Sequence, residues 1–256
     1  MFQTIGRALA GYLTKPDPHY QPVATSEPSA LLPALQRGDV LLVEGSSRVS
    51  TAIKYLTQST WSHAALYVGD VLIPGSDGQS AHALLEADMR AGVRLVPINQ
   101  YAAYHTRICR PVGLHEADID RLIAYAMARL GNQYDLKNIF DLLRYLLPTP
   151  PVPQRLRRRM IGIGSGDPTR AICSSLIAQS FQHVRYPILP KITRIKRKNP
   201  AYIGRYQDIL HIRHHSLYTP RDFDVSPYFQ IVKPRLAGSF SPYRLVWSAQ
   251  EASGES

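Results

Sequence analysis

Trp61-Ser-His-Ala-Ala-Leu-Tyr-Val-Gly69 is the stretch on which the reading of this chain turns. From Ser62 to Val68 it is nearly continuous in apolar residues, the pattern of a central strand covered on both faces. His63 interrupts that pattern at the strand's mouth, where a polar ring can face a cleft while the rest of the strand stays buried. Far downstream, Ile172-Cys-Ser-Ser-Leu-Ile-Ala-Gln-Ser-Phe181 sets a cysteine at the opening of an amphipathic helix. A histidine at a strand end and a cysteine at a helix start are the two groups that a cysteine nucleophile requires.

Around these segments, apolar runs and helical spacings alternate. Asp39 to Val43 reads as a short buried strand and Val49 to Leu56 as a helix; strands are expected at Ala81 to Ala87, Gly92 to Pro97 and Thr106 to Pro111. Pro74 to Gly78 supplies turn chemistry, and the strands together predict a mainly antiparallel sheet. Helices are expected over Glu116 to Leu130, Leu136 to Leu147 and Ser174 to Val184. Pro148 to Thr169 is a Pro-, Arg- and Gly-rich loop, long enough to read as a cover, and Asp17 to Pro33 reads as a linker or surface arm. Arg185 to His215 is read as basic and irregular, and Leu217 to Phe223 with Tyr228 to Val232 as strand-like. This divides the chain into an amphipathic lead-in and Pro/Ser-rich arm over 1–34, a compact domain over 35–235 and a tail over 236–256.

A chain of 256 residues that is 45% apolar can bury a full core. Only Cys109 and Cys173 occur, so no disulfide framework is expected and a reducing, cytoplasmic location fits. Met1 to Lys15 is read as amphipathic rather than as a secretory signal, and no apolar run reaches the length needed to span a bilayer. The net charge of +11 is concentrated in Arg155 to Arg159 and Lys191 to Lys198. Those stretches suit phosphate on a lipid surface, a nucleic acid or a cell-wall polymer; an anionic membrane is the surface they fit best, and nucleic acid is disfavoured because no aromatic residues interleave with the charge.

A thiol attacks only as thiolate, and an ordinary cysteine with a pKa near ~8.5 is mostly protonated at neutral pH. The unpaired amides at the start of the helix lower that value at Cys173 and offer hydrogen bonds to an oxyanion. His63 is the expected base. If the strands around His63 and Glu86 fold back about Pro74-Gly75, the two residues fall opposite one another, and Glu86 orients the ring. His82, on the same face, is the reserve orienter. Tyr134 is placed to line the cleft and Asp135 to cap a helix, while Ser62 and Trp61 are candidates for a substrate wall, with Trp61 equally suited to the core. Cys109 reads as buried and unreactive. His211-Ile-Arg-His-His215 lacks an acidic or cysteine co-ligand at metal-binding spacing, so neither metal nor other cofactor is expected.

Gly38-Asp-Val-Leu-Leu-Val43, Trp61 to Gly69, Leu85-Glu-Ala87 with Gly92-Val93, Gly131-Asn-Gln-Tyr-Asp135 and Ile172-Cys-Ser-Ser-Leu176 together resemble the circularly permuted papain-like amidases of the NlpC/P60 superfamily, nearest to the YiiX/YaeF-like C92 peptidase group. The resemblance spans roughly Leu35 to Val232, and histidine before cysteine is the order of the permuted branch. It implies an α+β fold, an antiparallel sheet or partial barrel packed against helices. It also implies a catalytic pair at His63 and Cys173, a polar third member at Glu86, and a place near the site for Tyr134 and Asp135. The expected activity is hydrolysis of an amide or ester, such as a cell-wall peptide, through an acyl-thioester. Two alternatives stay open: a lipid acyl hydrolase or acyltransferase at an anionic membrane, and a non-catalytic binding module. The long basic loop before Cys173 and the arm over 17–33 depart from the simplest family pattern. The oligomeric state is not legible.

Overall fold

The apolar run after Asp39 becomes β1 (Val40–Val43), all four residues of which are buried. It is flanked on one side by β2 (His63–Leu72), which follows helix α2 (Arg48–Thr57), and on the other by β5 (Thr106–Pro111), both strands antiparallel to it. Adding β3 (Ser80–Asp88), β4 (Gly92–Pro97) and β8 (Phe229–Val232) completes a six-stranded antiparallel sheet in the order β4-β3-β2-β1-β5-β8. The computed structural model describes residue 15 and residues 28–73, 80–88, 91–132, 172–196 and 206–234. The expected lead-in over 1–14, the turn around Pro74-Gly75, the helix over 136–147, the loop over 148–169, Tyr134, Asp135 and the tail over 236–256 lie outside the described residues.

Alternation along the strands sorts the core into two layers. Val40, Leu42, Ala64, Leu66, Leu85 and Cys109 face helices α3 (Glu116–Met127) and α4 (Ile172–His183), with the rings of Phe181, Phe223 and Phe229 packed among them. Leu41, Val43, Ala65, Tyr67, Leu84 and Ile108 face the opposite way, toward Leu31, Ile98 and Tyr101. Burial on both faces explains why the strand sequences read as apolar runs rather than as alternating patterns.

Three parts of the chain differ from the sequence reading. Residues Pro28–Ala34, read as the end of a linker, form a short helix α1 that buries Leu31 against the second layer. The segment read as strand-like around Leu217 to Phe223 is a 3-10 turn followed by α5 (Pro220–Asp224). Its start is fixed by a capping box: the Asp222 carboxylate accepts from the Thr219 amide at 2.7 Å and from the Thr219 hydroxyl at 3.0 Å. That local side-chain signal outweighs the apolar content. The stretch read as irregular contains an antiparallel pair, β6 (Lys191–Lys196) and β7 (Tyr206–His211), separate from the main sheet.

Candidate active site

The β2–β3 pairing decides which side chains can meet. Close to the turn the register is Gly69↔Ala83 and Leu72↔Ser80; past Tyr67 it becomes Tyr67↔Leu84 and Leu66↔Leu85. One extra residue is thus accommodated between Tyr67 and Gly69 as a bulge, at a glycine with φ of +95°. Without that bulge, the turn-side register would carry Glu86 opposite Leu66, facing the α3–α4 layer and away from His63. With it, continuing the register sets Glu86 beside Ala65, on the face that His63 shares. The expected direct pairing of 63 with 86 is therefore corrected to a diagonal one. An offset of two positions preserves the face, and long side chains bridge such diagonals.

The bridge is formed. His63 Nε2 lies 2.8 Å from Glu86 Oε2. The carboxylate is 1% exposed, and its other oxygen accepts from Arg94 Nε at 2.9 Å and Nη2 at 2.8 Å. Tyr101 donates its hydroxyl to Glu86 Oε2. Burial alone would raise the Glu86 pKa, but His63, Tyr101 and Arg94 outweigh it and hold the carboxyl down to about 2. At any physiological pH it is a fixed negative charge.

The Cys173 thiol lies close enough to the His63 ring for each to act on the other's ionisation, and Nδ1 is the ring nitrogen that Glu86 does not engage. Cys173 is the second residue of α4, so its amide belongs to the first turn, where backbone N–H groups lack helical partners. The Ala64 amide, near the start of β2, also favours the ionised form of the sulfur. Burial pushes the thiol pKa up and the imidazole pKa down. Their mutual attraction, with Glu86 behind the ring, reverses both shifts: the thiol lies below its ordinary value and the imidazole well above its own. That is the electrostatics of a thiolate–imidazolium pair. Cys173 is 5% exposed and His63 22%, so solvent reaches the pair along the ring.

The sequence reading thus brings Cys173, His63 and Glu86 together in one place. It missed Arg94 and Tyr101. Arg94 had a signal, since folding β3 onto β4 about Arg90 sets 94 opposite 86, which is the observed register. Tyr101 had none, because it comes from a 3-10 turn after β4 (Ile98–Tyr101). His82 bonds the Tyr67 hydroxyl at 3.0 Å instead of His63. Trp61 is 2% exposed in the core, its indole N–H donating to Asp224 at 3.0 Å, and the Ser62 hydroxyl accepts from the Gly45 amide at 2.9 Å. Both side chains are buried. Cys109 is fully buried and burial pushes its thiol strongly up. Among the described residues no group of three or more His, Cys, Asp or Glu side chains is placed to hold a metal ion.

The fold is an antiparallel α+β one in which the histidine strand precedes the cysteine helix, the order that the sequence resemblance implies. Residues 34–143 match the model of the Peptidase_C92 family, described as permuted papain-like amidase enzymes of the YaeF/YiiX type, so the resemblance read from the sequence holds across that segment. A crystal structure described as that of the metalloprotein yiiX from Escherichia coli O157:H7 aligns at 17% identity with a TM-score of 0.45, covering 79% of this chain and 98% of its own. No curated protein matches the chain.

Proposed function

We propose that this chain is a cysteine-dependent amidase or peptidase-like hydrolase. The observation that carries the reading is the position of one imidazole between a buried, ionised carboxylate and a thiol at a helix start. The Cys173 thiolate adds to the carbonyl carbon of the substrate, and the oxygen takes the negative charge beside the first amides of α4. His63 Nδ1 gives its proton to the departing amine as the carbon–nitrogen bond breaks, leaving a thioester. The neutral ring then takes a proton from water, whose oxygen attacks the thioester and restores the thiolate. Glu86 keeps the ring oriented and stabilises its protonated form. The amidase character of the matching family favours a peptide amide, such as that of a cell-wall peptide, as substrate.

Covalent trapping tests this reading. Incubation with cell-wall peptides or activated esters, followed by rapid acid quench and mass spectrometry, is expected to show the acyl mass on the peptide containing Cys173. Turnover with the label elsewhere, or with no covalent species at any quench time, would overturn it. Alkylation supplies the pH dependence. Because the folded thiol pKa is depressed, the thiolate persists below ~8.5 and is lost only as pH falls through the folded value. Iodoacetamide should therefore modify Cys173 rapidly near neutrality, with Cys109 inert, and His63→Ala should move the reactive limb to higher pH.

Tyr101 is a positioning residue in this scheme, acting on the ring through Glu86. Tyr101→Phe should lower kcat/KM by roughly tenfold. It should also cost about 1.5–3 kcal/mol of stability near neutrality, because the hydrogen bond removed is to a buried charge. Glu86 titrates well below its ordinary value, so this penalty should shrink as pH falls from the ordinary carboxyl range toward about 2. Urea unfolding at several pH values reads the second effect, and a pH-independent penalty would contradict the assignment.

A further inference from the structure

The β6–β7 pair stands apart from the main sheet and its two strands pack chiefly against each other. Its side chains are inverted relative to a protein core. Ile192 and Leu210 are paired across the strands and so share one face, Ile209 lies on the other, and Ile212 follows immediately after the end of β7. Ile192 is 53% exposed, Leu210 45% and Ile212 55%. Lys191 is exposed at one end, and Arg194 and Asp208 form an exposed pair at 2.8 Å. Between Lys191 and His215 the sequence carries seven Lys and Arg residues against one acidic residue.

Large aliphatic side chains on both faces of a ribbon do not match a flat protein partner, which would cover one face. They match immersion. The charge then selects the medium: a second copy would bring two strongly basic ribbons together, whereas an anionic bilayer offers hydrocarbon for the aliphatic groups and phosphate for the basic ones. Nucleic acid would satisfy the charge and leave Ile192, Leu210 and Ile212 without an apolar environment. The ribbon is anchored to the body where Gln182 Nε2 donates to the Arg213 carbonyl at 2.7 Å. Gln182 is near the C-terminal end of α4, opposite the end that carries Cys173. We propose that β6–β7 is a membrane-docking ribbon that inserts Ile192, Leu210 and Ile212 among the headgroups of an anionic bilayer.

The experiment is vesicle co-sedimentation of the full chain. Wild type should partition onto phosphatidylglycerol-containing vesicles and much less onto pure phosphatidylcholine. The triple variant Ile192→Ser, Leu210→Ser, Ile212→Ser keeps every charge and should bind at least ~10-fold more weakly, with an unchanged melting temperature because the three side chains are exposed. Should that variant unfold, Ile192→Trp gives a second reading: stronger partitioning and a vesicle-dependent blue shift of the added fluorescence. Equal binding by the serine variant and wild type, absence of wild-type binding, no response from Ile192→Trp, or a ribbon-dependent dimer in sedimentation velocity would each overturn the proposal. Cys173→Ala should bind vesicles like wild type, so failure of the hydrolase reading and failure of this one are distinguishable.

Discussion

Cys173→Ala is expected to reduce hydrolysis on the order of 10⁴-fold or more, to whatever the oxyanion-binding amides and substrate positioning retain alone. The sulfur supplies the atom that bonds to the acyl carbon, and it is the thiol whose ionisation the His63 ring promotes. Cys173→Ser is the sharper comparison, since it preserves shape and hydrogen bonding. A hydroxyl has a far higher pKa than a thiol, so the ion pair with the imidazole is lost and the serine variant should be nearly as inactive. Neither substitution should greatly reduce stability, because the imidazole can release its proton and remains bonded to Glu86, so no buried charge is left unpaired. Measured kcat and urea midpoints check both halves. Activity above about a tenth of wild type in the alanine variant would sink the mechanism.

Asp39→Ala is expected to destabilise the fold by about 3–5 kcal/mol, the largest stability effect among the substitutions considered. Asp39 is fully buried at the head of β1. Its carboxylate receives Arg110 Nε at 2.9 Å and Nη2 at 2.7 Å together with the Gln36 amide at 2.8 Å, while Arg110 Nη2 also reaches the Ala34 carbonyl at 2.6 Å. Burial raises the Asp39 pKa despite these partners, so the charge is held at a cost that only the complete arrangement offsets. Alanine leaves Arg110 without its carboxylate and the Gln36 amide without its acceptor. Asp39→Asn, which retains an acceptor for that amide, should cost less. Chemical denaturation measures both, and a loss below about 1 kcal/mol for alanine would show that Arg110 finds water instead.

The strands were legible because the sheet is covered on both faces, which turns Asp39 to Val43 and Ala64 to Val68 into apolar runs that nothing else explains. The cysteine helix was legible for the same reason, since Leu176, Ile177 and Phe181 all enter the core. The β6–β7 ribbon was not: its exposed side chains lack the alternation that a half-buried strand imposes, so its basic residues read as irregular sequence. The capping box at Thr219 and Asp222 is a local signal in the sequence that the apolar residues around it mask.

Residue chemistry and order along the chain determined the nucleophile, the base and the carboxylate as candidates, since each depends on a side chain and its immediate neighbours. What only the tertiary structure decided is how they meet. Strand register is cumulative, and the bulge between Tyr67 and Gly69 shifts every pair beyond it. That one inserted residue turns Glu86 toward His63 rather than toward the α3–α4 layer. Arg94 and Tyr101, which keep that carboxylate ionised, arrive from separate elements. Local sequence sets which groups can react; the sum of turn, bulge and pairing sets whether they face one another, and no short stretch of chain contains that sum.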